Sequence, residues 1–187
     1  MRFEVPWVSS RRMNALSTEL CVLEPQLEAH ASAMFEVLSD PAIYEFEGMP
    51  PPSVEQLAAG FRRKEARVSP DGREGWLNWV ARLANGELAG YVQATVLPTG
   101  AALVGYEFAS RHWRRGIGSA SVKAVLAELA RSYEVHTAVA VLKTANHRSM
   151  GLLLQLGFQR ASEEDAQTHE AQADETVLVK RLASPGH

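Results

Sequence analysis

Residues 104–119 read Val104-Gly105-Tyr106-Glu107-Phe108-Ala109-Ser110-Arg111-His112-Trp113-Arg114-Arg115-Gly116-Ile117-Gly118-Ser119. A strand-like run ending at Phe108 gives way to a loop carrying arginines and glycines. Apolar residues at helical spacing follow at once: Val122, Val125, Leu126 and Leu129. A helix N-terminus leaves backbone N–H groups without partners and carries partial positive charge. Glycines there let a phosphate approach the backbone closely, and Arg114 and Arg115 can add charge-assisted contacts. Taken alone, the loop is equally a tight strand-to-helix connection with solvated arginines. No GxxxxGK[ST] occurs, which excludes a P-loop. The third glycine of a dinucleotide fingerprint is missing, and the loop from Phe108 is long for that turn.

A second segment lies about 30 residues on: Asn146-His147-Arg148-Ser149-Met150-Gly151-Leu152-Leu153-Leu154-Gln155-Leu156-Gly157-Phe158. Asn146 is placed to cap a short helix, Ser149 falls in its first turn, and Gly157 suits the position after its end. Between the two segments, Val135 to Leu142 is a near-continuous apolar run, as in a strand covered on both faces.

Upstream, Leu20 to Pro25 reads as a first strand, and Leu27, Ala31, Met34, Phe35 and Leu38 recur at helical spacing up to Asp40-Pro41. Pro50-Pro51-Pro52 cannot be helix interior. Ser53 then caps a second helix, with Gln56 as its capping-box partner and Leu57, Gly60, Phe61 and Lys64 on one side. Trp76–Leu83 and Leu88–Leu97 flank Asn85-Gly86, a strong hairpin turn, and Ala102–Phe108 follows the turn Pro98-Thr99-Gly100. Downstream, Phe158 opens another strand, Glu163 to Asp174 reads as a solvated acidic loop, and Glu175–Leu182 is a last strand. The element order β-α-α-β-β-β-α-β-α-β-β predicts one α/β domain with a mixed sheet. Residues 19–182 form the expected domain, 1–18 a loose leader in which Met13 is an alternative start, and 183–187 a frayed tail.

The chain has 187 residues, 46% hydrophobic and 22% charged, the proportions of an ordinary globular domain. Lys and Arg total 19 against 22 Asp and Glu, which gives no push toward nucleic acid or an anionic membrane. No apolar run has the length of a membrane span, and no signal peptide is legible. Cys21 is the only cysteine, so an internal disulfide and a CxxC site are excluded. A reducing, cytoplasmic setting is the expectation.

The strand ending in Gly105-Tyr106-Glu107-Phe108, the R-R-G-I-G-S loop and the N-x-x-S-x-x-x-x-x-x-x-G-F segment, in that order, resemble the GNAT superfamily of acyl-CoA-dependent N-acetyltransferases. Within it the likeness is to the branch of ribosomal-protein N-terminal acetyltransferases. The resemblance covers most of residues 19–182 in element order, and its specific motifs lie within 104–158. It implies a single, mostly antiparallel sheet whose central parallel strands splay apart between flanking helices. Acetyl-CoA would then be the co-substrate and no metal would be needed. The pantetheine arm would lie in the splay against Phe108 and Ser110. The pyrophosphate would sit on the amides of Arg114, Arg115, Gly116, Ile117, Gly118 and Ser119, and Asn146 would reach the cofactor arm. Trp113 stands where the family pattern has Gln or Arg, which matters little if backbone amides do the binding.

Many family members carry a tyrosine seven residues after the motif asparagine, as acid for the leaving thiolate. Here that position is Leu153. Ser149 is the nearest alternative, with orientation of the thiolate as its safer role. Glu107 is the candidate base, since strand alternation points it away from Tyr106 and Phe108. His112 and His147 are further titratable groups, both read as solvent-facing. In this family the region of Tyr44, Glu45, Phe46 and Glu47 lines the acceptor side, where a carboxylate pair can hold a cationic amine. The competing reading is a charged loop with half-buried aromatics. The run 163–174, with His169, reads as solvated rather than as a metal site. The expected function is acetyl transfer from acetyl-CoA to a primary amine, a peptide N-terminus or a small molecule. The alternatives are an acyl-CoA-binding regulator that has lost turnover and a nucleotide-binding enzyme of another kind. Oligomeric state is not legible in the sequence, the resemblance being compatible with a homodimer, and neither nucleic acid nor membrane is expected as a partner.

Overall fold

The computed structural model describes residues 12–169 and 171–183. The strands are β1 (Leu16–Ser17), β2 (Val22–Pro25), β3 (Gly75–Arg82), β4 (Leu88–Val96), β5 (Ala101–Phe108), β6 (Thr137–Lys143), β7 (Gln159–Arg160) and β8 (Glu175–Arg181). The helices are α1 (Ala31–Leu38), α2 (Val54–Lys64), α3 (Ile117–Tyr133), α4 (His147–Gln155) and α5 (Glu163–Thr168). The strands make one sheet in the order β1-β2-β3-β4-β5-β6-β8-β7, in which only β5 and β6 pair in parallel. This is the mixed, mostly antiparallel α/β sheet expected from the residues and from the family likeness.

Strand alternation sends two sets of side chains to opposite faces. Leu77 and Trp79 of β3, Val92 and Ala94 of β4 and Val104 and Phe108 of β5 pack with α3 and α4, through Val122, Val125, Leu129, Met150 and Leu153. Val80 and Leu88 on the other face pack against Met34, Val37 and Leu38 of α1 and Phe61 of α2. Ser53 caps α2 by accepting from the Gln56 amide at 3.2 Å. Gly86 takes a left-handed φ of 86° at the β3–β4 turn, which a residue without Cβ adopts freely.

Three expectations need correction. Residues 12–18 are not loose: β1 pairs with β2, Met13 and Leu16 are buried, and the Trp79 indole donates to the Asn14 carbonyl at 3.1 Å. Residues 1–11 and 184–187 lie outside the described residues. The first helix begins as a three-ten turn, Glu28–His30, and becomes α-helical only at Ala31. The acidic stretch 163–174 is not all loop, because Glu163–Thr168 forms α5 against β8. Among the described residues no helix is long and apolar enough to cross a membrane.

Candidate active site

β5 and β6 stay paired only over Ala101–Leu103 and Thr137–Val139. Beyond that, β5 remains bonded to β4 as far as Gly90↔Phe108, while β6 remains bonded to β8 as far as Lys143↔Glu175. The two strands therefore part, each held by its antiparallel neighbour. Gly90 permits this, because a Cβ there would collide with the Glu107 carbonyl and with Phe108. A cleft of about 450 Å³ opens in the split. Its walls are the end of β5, the loop 112–119, the end of β6 and the first turns of α4, with Ile43, Phe46 and Glu47 at one side.

The loop after β5 is shaped to present amides. Arg114 and Gly116 both take left-handed φ values, 58° and 78°. Gly116 is the N-cap of α3 and no side chain caps this end. Ala120 N–H bonds the Gly116 carbonyl at 2.9 Å, so the regular helical ladder starts there and leaves Ile117, Gly118 and Ser119 as the first-turn donors. All three line the cleft. A Cβ on Gly118 would sit 3.3 Å from Leu152 Cδ1 and 3.5 Å from the Phe108 ring, a tight but adjustable fit. The arginine side chains are exposed, and Arg115 also donates to His112 Nδ1 at 3.3 Å.

His112 is not solvent-facing. It is 5% exposed, with Nε2 3.2 Å from Glu87 Oε1, because the three-ten turn Ser110–His112 folds it back under the loop. His147 is exposed as expected. Ser110 departs from its assignment. Its amide donates to Asp40 Oδ2 at 2.6 Å and is spent on tying the turn to the α1–α2 connection. Burial pushes the Asp40 pKa up, but hydrogen bonds from the Ser110 hydroxyl and amide and the Ala42 amide outweigh it and hold the carboxyl below its usual range. The Phe108 carbonyl accepts from the Trp113 indole at 2.7 Å. The Arg148 guanidinium lies over the Trp113 ring, 3.4 Å from its centre, and donates to Glu45 at 3.2 Å. Loop, α4 and the α1–α2 connection thus meet at one rim of the cleft.

Asn146 caps α4: its Oδ1 accepts from the Ser149 amide at 3.1 Å, which leaves its NH2 free of that duty. Ser149 and Leu153 both border the cleft, Leu153 from the core, where it is 1% exposed. The Tyr106 hydroxyl reaches across to the first turn of α4. It lies 3.4 Å from the Ser149 carbonyl and in hydrogen-bonding reach of the Ser149 hydroxyl.

Glu107 faces the other side, as alternation predicts, beside its cross-strand partner Tyr91, whose hydroxyl bonds it. Burial and the charge of Glu47 raise its pKa, against the Tyr91 bond and the Lys64 charge. Burial likewise lowers the pKa of Lys64, opposed by Glu107. The Tyr44 hydroxyl donates to the Leu38 carbonyl at 2.8 Å, and its pKa is pushed up to about 12 by burial and by the charges of Glu107 and Asp40. Of the acceptor-side candidates, Glu47 lines the cleft, Glu45 pairs with Arg148, and Tyr44 is engaged in structure. Tyr91 and the Trp113–Arg148 stack carried no signal in the sequence. Tyr106 did carry one, through its alternation with Phe108.

The residues present fit an acyl-CoA: a first helical turn of donors at one end of the split, an open strand edge along it, and a half-buried carboxylate, Glu107, beside it. Among the described residues no group of three or more His, Cys, Asp and Glu is placed to hold a metal. A family model described as an acetyltransferase (GNAT) domain matches residues 20–159. No curated protein matches the chain. Among solved structures, the chain is similar to RimL, a ribosomal-protein alpha-N acetyltransferase in complex with coenzyme A, at TM-score 0.75 and 16% identity, over 90% of this chain and 98% of that one. A ribosomal-protein alanine acetyltransferase from Vibrio fischeri gives TM-score 0.74 and 16% identity, over 94% and 100%. A GNAT-family acetyltransferase from Bacillus anthracis gives 0.70 and 15%, over 90% and 98%. At such identities the likeness is one of fold.

Proposed function

The chain belongs to the GNAT acetyltransferases, a family of acyltransferases, and from that premise we propose that it moves an acetyl group from acetyl-CoA to a primary amine in a ternary complex. The observation that carries this reading is the split of β5 from β6 beyond Leu103 and Val139, opening beside the uncapped start of α3. RimL, the similar structure bound to coenzyme A, supports it by fold.

Acetyl-CoA supplies the activated acetyl thioester. The amides of Ile117, Gly118 and Ser119 hold the pyrophosphate at the positive end of α3, and the Arg114 and Arg115 side chains add positive charge outside it. Phe108 borders the pantetheine arm, and the Asn146 NH2 reaches it from α4. Ser110, its amide given to Asp40, anchors the loop instead of touching the cofactor. Glu107 takes a proton from the attacking amine, directly or through one water. Its raised pKa brings it closer to the pH at which a base works best. Glu47, at the cleft, attracts the cationic amine before it loses its proton. Ser149 orients the leaving thiolate.

A peptide N-terminus and a small-molecule amine are the two acceptor classes to compare. Leu153, without a hydroxyl where many relatives have tyrosine, favours a second reading, an acyl-CoA-binding protein with little turnover. Two measurements test these readings: calorimetric titration with acetyl-CoA, then thiol release over a panel of amines and peptides. Binding with release supports the transferase. Binding without release on any acceptor supports the second reading, and absence of binding overturns both.

A further inference from the structure

We propose that Tyr106 donates the hydrogen bond that receives the departing sulfur, in place of the hydroxyl that Leu153 lacks. The proposal rests on the acetyl-transfer reading above and goes beyond it in naming a second group, beside Ser149, that meets the thiolate.

Glu107 and Tyr106 are consecutive on β5, just beyond the last paired residue, Leu103. Alternation sends Glu107 toward Tyr91 and the acceptor side, and Tyr106 toward α4. The amine attacks and the sulfur departs at one carbon. The base and the group that meets the sulfur must therefore stand at one level of the split, on opposite sides of the thioester. Adjacent residues of one strand satisfy both demands. Tyr106 lines the cleft, and its hydroxyl reaches the first turn of α4.

The hydroxyl is also poised to switch partners. Its 3.4 Å contact with the Ser149 carbonyl is near the limit of a hydrogen bond, so little is lost when the O–H turns to another acceptor. Burial raises the Tyr106 pKa to about 12, so the phenol keeps its proton throughout and acts by hydrogen bonding. The balance is complete. The acceptor amine gives its first proton to water and attacks as the free base, the N–C bond forms, the C–S bond breaks, the second amine proton passes to Glu107, and the sulfur leaves as a thiolate held by Tyr106 until water protonates it.

The test is Tyr106→Phe, which keeps the ring against Phe108, 6.5 Å away. Calorimetry is run above the thiol's own pKa of about 8.5, where free CoA is a thiolate. Tyr106→Phe should bind acetyl-CoA as the wild type does, bind CoA roughly 10- to 100-fold more weakly, and lose turnover in the same range. An unchanged ratio of CoA to acetyl-CoA affinity overturns the proposal. A wild type that binds neither ligand overturns the site reading on which it rests. If the variant does not fold, the wild type alone decides: its CoA affinity, relative to acetyl-CoA, must strengthen as the thiol ionises, and a flat ratio overturns the proposal.

Discussion

Replacing Gly118 with aspartate separates stability from binding at the first turn of α3. Gly118 is the second residue of that helix, its backbone φ is not left-handed, and a Cβ there would press on Leu152 Cδ1 at 3.3 Å, a shift of a few tenths of an ångström. Against that squeeze, a residue with a Cβ gains about 0.5–1 kcal/mol over glycine within a helix. A carboxylate near the positive end of the helix adds about 0.3–1 kcal/mol. Gly118→Asp should therefore melt at or slightly above the wild-type temperature. Binding should move the other way. The new carboxylate would stand about 4–5 Å from the anion's place, where like charges cost about 3–4 kcal/mol each near a protein surface. Solvent screening trims this to about 2–4 kcal/mol, so the Kd for acetyl-CoA should rise roughly 30- to 700-fold. Gly118→Ala is the control: it adds the Cβ without the charge and should bind within a few-fold of wild type. Titration calorimetry with a parallel melt reads all three proteins. A folded Gly118→Asp that binds acetyl-CoA as tightly as Gly118→Ala refutes the assignment of these amides to the pyrophosphate.

Two further substitutions bear on the chemistry. Glu107 has a raised folded-state pKa, so its contribution to stability is present at low pH and is lost as pH rises through that value. Glu107→Gln should therefore gain stability relative to wild type as pH rises, lose turnover, and lack the activity limb that titrates above the ordinary carboxylate range. Melts and initial rates across pH check both. Ser149→Ala should lower turnover about tenfold, the low end for a lost hydrogen bond to a charged group, with little change in melting temperature because the cap of α4 is the Asn146 side chain. A melting loss with full turnover would reduce Ser149 to a structural role.

What could be read from the sequence was local. The change from strand to helical period around Gly116, the Asn85-Gly86 turn and the Asn146 cap each act within a few residues, and each stands where the residues put it. β1 spans two residues and α5 is polar all round, so neither offers a period to detect. The site divides the same way. The loop and helix start to which the proposed cradle is assigned are one contiguous stretch, and their local structure was legible. The surroundings of Glu107 were not, because Tyr91 reaches it only through the β4–β5 register, and Lys64 only through the packing of α2. His112 and Ser110 were misread for one reason. Each looks like a free loop residue until Glu87 and Asp40, distant in sequence, are folded against it. Leu153 was read for what it lacks, while a hydroxyl that reaches Ser149 comes from Tyr106, distant in sequence.

The central claim is that the split beside α3 holds the cofactor by the first-turn amides of that helix. Amide hydrogen exchange with and without CoA tests it at single-residue resolution. The account predicts that CoA slows exchange at Ile117, Gly118 and Ser119 more than at the first-turn amides of α2, which Ser53 already caps. CoA that binds and leaves those three amides exchanging at their free rate would contradict it.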